Sequence, residues 1–404
     1  MSTVRSTTQR LHLVGKVFTP STPIDKKDLF AGRAKEVERV LNAIIMDGQH
    51  AALYGERGVG KTSLASVIHE FLPKMDGLVN VKINCDADTT FKSMFKNILE
   101  EIKLYSNAPG IGFRAEDKVH IQSLSDFIAN DDITPNNLRF IFRQLSNTVI
   151  IIIDEFDRVT SEDTKRLLAD TIKNFSDYKV DTTFILVGIA DSVDDLIAEH
   201  QSIERALVQI KVPRMSTSEL SEIIDKGLAK LAMTIAPNAK KHIVKLSQGL
   251  PHYTHLLSYH ATYLCLNAGR NMVSEADVTQ AINRAVEMGQ QTIEDSYFKA
   301  VNSPRGNIYS EVLLACAMAS RDEMGYFSAI GIKTALDRVI PKKNYEVSAF
   351  AQHLKRFCSP ERGPVLKQVG YPRRYKYRFI NPLLDPYVIM RGIAKGTIKE
   401  TDLR

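Results

Sequence analysis

Apolar positions change their period along the chain, and each change marks a different kind of element. Residues 1–27 are polar and rich in Ser, Thr and Pro, and read as an irregular arm. In 28–46, Val37, Val40, Leu41 and Ile44 recur at helical spacing. A strand at Ala51–Tyr54, a glycine-rich loop, a helix from Lys61 to about Phe71 and a second strand at Val79–Asn84 come next. Residues 105–131 are polar without a clear period and read as a loop or insertion. Asn136–Leu145 reads as a helix. Val149–Ile153 is an unbroken β-branched run, the mark of a strand buried on both faces of a parallel sheet. A helix over 162–176 and an apolar strand at Phe184–Gly188 continue an alternation that predicts a doubly wound α/β domain.

From about residue 216 the pattern turns purely helical, with segments at Ser216–Leu231, Lys240–Ser247, His252–Ala268 and Glu275–Met288. The Ser-Glu-Ala-Asp opening at Ser274 suits a helix N-cap. A third segment, about 296–392, predicts helices near Ile308–Ala319, Phe327–Val339 and Val347–Phe357. A basic, aromatic, strand-like stretch follows at Val365–Phe379. Three helices followed by a β-ribbon is the order of a winged helix. The chain's 404 residues exceed one comfortable core, in agreement with several domains.

The chemistry concentrates at two strand ends. Gly55-Glu56-Arg57-Gly58-Val59-Gly60-Lys61-Thr62, with Ser63 beyond, fits the phosphate-loop pattern between a strand and a helix. Its glycines let successive N–H groups face phosphate, and the following helix aims its positive end at the same place. Lys61 is expected to reach the β- and γ-phosphates of ATP, and Thr62 to hold Mg²⁺. The run Val149–Ile153 ends in Asp154-Glu155. Ligands of open α/β sheets bind at strand carboxyl ends. Asp154 is expected to serve Mg²⁺, directly or through water, and Glu155 to activate the attacking water. Asn84, ending the second strand, either hydrogen-bonds that glutamate or is an ordinary edge residue.

In order over about 28–390, these pieces resemble the AAA+ ATPases, and among them the origin-recognition and initiator-type branch with its bacterial relatives. The resemblance implies an α/β P-loop NTPase core with a parallel sheet, an all-helical lid and a C-terminal winged-helix domain. The implied boundaries are an arm at 1–27, the core at 28–214, the lid at 215–292 and the winged helix at 293–404. Gly32-Arg33 with Glu36 is similar to the family's segment against adenine. Ile185–Ser192 is similar to the sensor-1 strand, whose polar end residue here is Asp191 or Ser192. A second carboxylate beside phosphate is electrostatically awkward, which favours Ser192. Arg205 stands at the place of the arginine finger that completes a neighbouring subunit's site, implying self-association. Where initiators carry a sensor-2 arginine this chain has His252. The preceding Gly249-Leu250-Pro251 is instead similar to a lid motif of the STAND signalling ATPases, with Pro251 and His252 facing nucleotide.

Charge adds a possible partner. The net charge is +6, mild enough to permit nucleic acid without requiring it. Lys342, Lys343, Lys355 and Arg356 are followed by Lys367, Arg373, Arg374, Lys376 and Arg378, interleaved with Tyr371, Tyr375 and Tyr377. In a winged helix, Val347–Phe357 would lie in the major groove of duplex DNA while the 367–378 ribbon tracks phosphate. Cys85, Cys265, Cys316 and Cys358 are far apart without a CxxC pair, which argues against a disulfide framework or zinc site. No apolar window is long enough to span a membrane, and the polar N-terminus carries no signal core, so a cytoplasmic location is expected. The reading at this stage is an ATP-hydrolysing switch, slow and regulatory, that couples nucleotide state to DNA binding or partner assembly. A STAND-like regulatory or defence ATPase with a protein effector, and a transposition or conjugation helper, are the alternatives.

Overall fold

A computed structural model describes residues 7–20, 22, 28–72, 78–108, 118–127, 133–197, 203–289, 291–303, 307–322, 324–341, 343–372 and 374–403. Its first element departs from expectation. Thr7–Val17 is a helix, α1, rather than part of an irregular arm. Val14, Val17 and Phe18 are buried, and the Phe18 ring fills the space over Gly227 that a side chain there would take. Tertiary docking supplies the stability that so short and polar a helix lacks alone.

The α/β part follows as α2 (Ala34–Ile45), β1 (His50–Gly55), α3 (Lys61–Phe71), β2 (Leu78–Asn84) and α4 (Phe91–Glu101). The predicted loop instead contributes an antiparallel pair, β3 (Lys103–Ala108) and β4 (Lys118–Ser123). Lys103–Ala108 lacks the apolar alternation that marks a half-buried strand, and in Lys118–Ser123 it is confined to Val119 and Ile121. Then come α5 (Pro135–Phe142), β5 (Thr148–Asp154), α6 (Glu162–Asp177), β6 (Thr182–Ile189), the single-turn α7 (Val193–Leu196) and β7 (Leu207–Lys211). Five strands form a parallel sheet in the order β2-β5-β6-β1-β7. Along β5, Val149, Ile151 and Ile153 enter one apolar core while Ile150 and Ile152 enter the other, as a strand covered on both faces requires.

The helical part comprises α8 (Thr217–Lys230), β8 (Thr234–Ile235), α9 (Pro237–Ser247), α10 (Pro251–Asn267), β9 (Met272–Val273) and α11 (Glu275–Glu287), with β8 and β9 paired in parallel. Ser216 and Ser274 cap α8 and α11 in capping boxes with Glu219 and Asp277. Beyond α12 (Gln291–Val301) lie α13 (Tyr309–Met318), β10 (Phe327–Ser328), α14 (Ala329–Val339), α15 (Val347–Phe357), β11 (Leu366–Val369), β12 (Lys376–Phe379) and α16 (Leu384–Ala394). Phe327 is in a short strand rather than at a helix start, because Ser328 caps α14. Antiparallel pairing gives a second sheet in the order β10-β12-β11. The four cysteines are free, and Cys316 is a fully buried core residue. No helix among the described residues is long and apolar enough to cross a membrane.

One apolar core runs from one face of the large sheet through α8–α11 into α13, α14 and α16. The C-terminal segment therefore shares its core with the nucleotide-binding part. Two buried histidines make that packing sensitive to acid. His50 Nδ1 accepts from the N–H of Phe184 (3.0 Å), and His255 Nδ1 from that of Thr19 (3.3 Å), so both rings are held neutral. Burial lowers each from 6.5 to about 4. A histidine depressed in the fold stabilises fully above its unfolded value, and that stability drains away as pH falls towards the folded value. We expect about 2 kcal/mol to be lost from each on going from pH 6.5 to 5. Urea midpoints at pH 7, 6 and 5 test this, and an unchanged midpoint across that range would refute it.

Candidate functional site

The loop between β1 and α3 turns where only glycine fits. Gly55 has φ +154°, and a Cβ there would lie 2.4 Å from the Val212 carbonyl oxygen. Lys61 opens α3 and bends back, with Nζ donating to the carbonyls of Gly55 (3.0 Å) and Glu56 (2.8 Å). Burial lowers its pKa to about 8, against the pull of Asp157, Asp154 and Glu56. It stays largely cationic at neutral pH.

Strand β5 carries Asp154 to the same edge. Thr62 Oγ1 donates to Asp154 Oδ1 (3.3 Å), and so does the Glu155 N–H (2.9 Å). Asp154 Oδ2 is buried without a hydrogen bond, and Lys82 Nζ, 3.2 Å away, meets it as an ionic contact only. Lys82 itself is held by Ser66 Oγ (2.8 Å). A hydroxyl, a carboxylate and an unsatisfied oxygen fit a Mg²⁺ ion that brings its remaining ligands as phosphate and water. Among the described residues no group of three His, Cys, Asp or Glu side chains could hold a metal unaided.

Glu155 has φ 55°, a left-handed backbone uncommon outside glycine and frequent at functional sites. Its carboxylate accepts from Arg158 Nη1 (2.9 Å), with both side chains about half exposed. No hydrogen bond joins it to Asn84 among the described ones. The single 3-10 turn Phe156–Arg158 is fixed by Asp157 Oδ1, which accepts from the Ile189 N–H at the end of β6 (2.8 Å).

These groups line one cavity of about 650 Å³, within the usual size of a small-molecule site. Its polar end holds Arg57–Ser63, Asp154, Glu155, Asp157 and Arg158. Its apolar end is built from Pro20, Leu29, Phe30, Met215 and Ile223, with Pro251 and His252 from α10 closing it. His252 Nδ1 donates to the Pro20 carbonyl (2.7 Å), so the ring tethers the N-terminal segment. Arg33 also lines the cavity, yet its guanidinium donates to the carbonyls of Val59 (2.9 Å) and Pro213 (2.6 Å), bracing the loop rather than leaving the group free. Gly32 has φ +64° and lies against Glu219, and its N–H donates to Glu222 Oε2 (3.0 Å). Gly249 accepts from the Met215 N–H (2.9 Å), pinning the Gly-Leu-Pro turn to the strand-to-helix junction.

Several expected residues lie elsewhere. Gly55 and Glu56 do not line the cavity. Glu56 instead receives a bidentate pair from Arg214, Nε (2.7 Å) and Nη2 (3.0 Å). Arg214 continues to Asp385 Oδ2 (3.2 Å), and Arg321 meets Asp385 Oδ1 (2.7 Å). Both arginines also bond Gln248, through its carbonyl and its amide oxygen. Buried charge thus connects the phosphate loop, the helical part and the C-terminal segment. Leu383, just before Asp385, enters the cavity opposite Gly58. Ser192 does not line the cavity. Its neighbour Asp191 faces the C-terminal ribbon, accepting from Arg378 (2.5 and 3.1 Å), Lys367 (3.1 Å) and the Tyr326 hydroxyl (3.1 Å). Burial alone would raise the Asp191 pKa; the bonds and charges of Arg378 and Lys367 outweigh it and hold it below the usual range.

The ribbon's charge is accordingly not all free. Lys376 pairs with Asp322 (2.9 Å), Arg374 is exposed, and Arg373 and Lys342 lie outside the described residues. Arg205 is exposed on the turn before β7 and does not line the cavity. Lys82, Arg158, Arg214, Arg321 and Asp385 were not singled out by the sequence. Lys82 carried a weak signal as the one cation within a largely apolar strand, and Arg158 as the cation three residues past Glu155.

A parallel sheet with a phosphate loop and an acidic strand end defines a P-loop NTPase fold. The chain belongs to the novel STAND NTPase 1 family, whose model matches residues 22–342. The chain is similar in structure to the ORC2 protein of Aeropyrum pernix, solved in ADPNP-ADP complexes. The identity is 16%, with 94% of this chain and 98% of that one covered and a TM-score of 0.50. It is also similar to a Walker-type ATPase of Pyrococcus abyssi, at 16% identity, 91% and 98% coverage and a TM-score of 0.51. At such identities only the fold is shared. No curated protein matches the chain.

Proposed function

We propose that this protein is an ATP-controlled switch whose C-terminal segment closes over the nucleotide site and is released in one nucleotide state. The observation that carries this is the buried chain Glu56–Arg214–Asp385–Arg321, because one end is part of the phosphate loop and the other belongs to the C-terminal segment. A shift of the loop on binding phosphate is felt directly by a charge network that tolerates no half-made state. ATP lies with its base against Pro20, Phe30 and Ile223 and its phosphates on Arg57–Ser63. Thr62 and Asp154 would hold Mg²⁺, which would neutralise phosphate charge. Lys61 leaves its two carbonyls for the phosphates, and Glu155 takes the proton of the attacking water. Arg205 serves a neighbouring copy. Hydrolysis is slow, since the site is braced in a closed arrangement.

We read α13–β12 as a winged helix, with the domain limits given by the sequence. In the closed arrangement Lys367 and Arg378 are spent on Asp191, so the ribbon is masked. Release would expose Lys367, Arg374, Lys376 and Arg378 together, a surface suited to duplex DNA. Family membership and the Gly249-Leu250-Pro251 turn favour a second reading, in which the released surface takes a protein effector. Duplex-DNA binding with ATP, with ADP and without nucleotide, over a salt series, decides between them. We expect affinity at least about tenfold higher in one nucleotide state, with a slope of log K against log salt near −3.6 for about four phosphate contacts. Weak binding indifferent to nucleotide would remove DNA as the partner.

A further inference from the structure

Resting on the proposed ATP site, we infer that Arg158 senses the third phosphate in cis and, by leaving Glu155, switches the general base on. Three observations meet here. Arg158, Glu155, Lys61 and Thr62 line the same cavity, and Glu155 and Thr62 meet on one oxygen of Asp154. The two are joined at 2.9 Å, and both remain about half exposed, so the pair is accessible and can be exchanged. The turn that carries Arg158 is anchored by Asp157 to the Ile189 N–H, which fixes the backbone while leaving the guanidinium free to swing. Neither candidate sensor at the end of β6 lines the cavity, and Asp191 is committed to Arg378 and Lys367.

The chemistry follows from competition for one cation. A solvent-screened surface ion pair such as Glu155–Arg158 is weak and easily exchanged. A γ-phosphate offers the guanidinium two anionic oxygens in the bidentate geometry arginine prefers. With ADP or an empty loop Arg158 stays on Glu155, whose carboxylate is thereby turned from the water. With ATP, Arg158 moves to the γ-phosphate and Glu155 is released. Glu155 then accepts a proton from water as the water oxygen bonds to the γ-phosphorus. The bond from that phosphorus to the bridging oxygen breaks, with its electron pair leaving on ADP.

Binding of ADP and of a non-hydrolysable ATP analogue, both with Mg²⁺, tests this by calorimetry on the full chain. Arg158→Ala is expected to weaken the analogue about tenfold, the loss of one charge-assisted contact, and to leave ADP within about twofold. Glu155→Gln, which lacks the competing charge, is expected to bind the analogue a few-fold tighter than the original, and adding Arg158→Ala is expected to abolish that gain. Turnover should fall in Arg158→Ala, with Arg158→Lys restoring part of it. Equal loss for ADP and analogue, or no loss for either, overturns the sensor. Lys61→Ala separates the layers, because it should weaken both ligands; if it weakens neither, the nucleotide site itself is wrong and the sensor falls with it.

Discussion

Lys61→Ala is expected to weaken ATP binding by at least about a hundredfold, the largest effect of any single substitution in the cavity. Lys61 Nζ now spends its hydrogen bonds on the carbonyls of Gly55 and Glu56, both within its own loop. Those acceptors are neutral, and phosphate oxygens carry full charge, so the exchange favours nucleotide by two charge-assisted bonds of about 1.5 kcal/mol each. That sum is about 3 kcal/mol, or a factor of roughly a hundred. Burial strengthens the preference, since it lowers the lysine pKa to about 8 and a nearby polyanion restores the full charge. Titration with a fluorescent ATP analogue measures the loss, and a melting curve without nucleotide establishes that the variant is folded. Undiminished affinity in a folded variant would exclude the loop as the phosphate site.

The legible and illegible parts of this molecule divide on physical grounds. The run Val149–Ile153 announced β5 because a strand covered on both faces must be apolar throughout, and the acid pair at its end fixed the edge where ligands gather. Ser274 announced a helix start because capping is local. Helix α1 was missed because its apolar face exists only against α10 and Gly227, far away in sequence. The β3–β4 pair was missed because Lys103–Ala108 does not alternate and the alternation in Lys118–Ser123 covers only Val119 and Ile121. At the site, motif spacing located Lys61, Thr62, Asp154 and Glu155. It could not show that Glu56, at a variable motif position, is bonded to Arg214, 158 residues later. Pairs of that separation are invisible to any local pattern. The same reason explains the ribbon: Lys367 and Arg378 read as free surface charge, and their partner Asp191 lies in the preceding half of the chain.

The basic ribbon and the sensor strand are therefore one feature. Asp191 was the less suitable of two phosphate sensors on electrostatic grounds, and its carboxylate answers a different need by neutralising two cations of the C-terminal segment. Tyr326 adds its hydroxyl to the same carboxylate and lies under the Arg378 guanidinium at 4.6 Å. This contact is partly open to solvent, whereas the Asp385 network is sealed. The two differ in what they contribute: the exposed one can be released by salt or a polyanion, and the buried one holds the arrangement together.

Asp385→Ala is accordingly expected to be far more damaging than Asp191→Ala. Asp385 is fully buried, and burial, opposed by Arg321 and Arg214, raises its pKa. Removing it leaves two guanidiniums inside the protein with one carboxylate, Glu56, between them. Arg321 keeps the carbonyls of Ala317 and Ala319 and the Gln248 amide oxygen, but none of these carries charge. Breaking a buried pair in this way costs about 3–5 kcal/mol. A partly exposed ion pair such as Asp191–Lys367 contributes about 0–1 kcal/mol. Urea unfolding should show the difference in midpoint. Limited proteolysis should show cleavage around the C-terminal segment at lower protease in Asp385→Ala than in the original, because the lost charge is the one joining that segment to Arg214. Asp385→Asn, which keeps the shape and two hydrogen-bonding atoms, should fall between. If Asp385→Ala unfolds at the midpoint of the original protein and resists protease equally, the network does not hold the C-terminal segment closed, and the phosphate loop has no buried connection through which to move it.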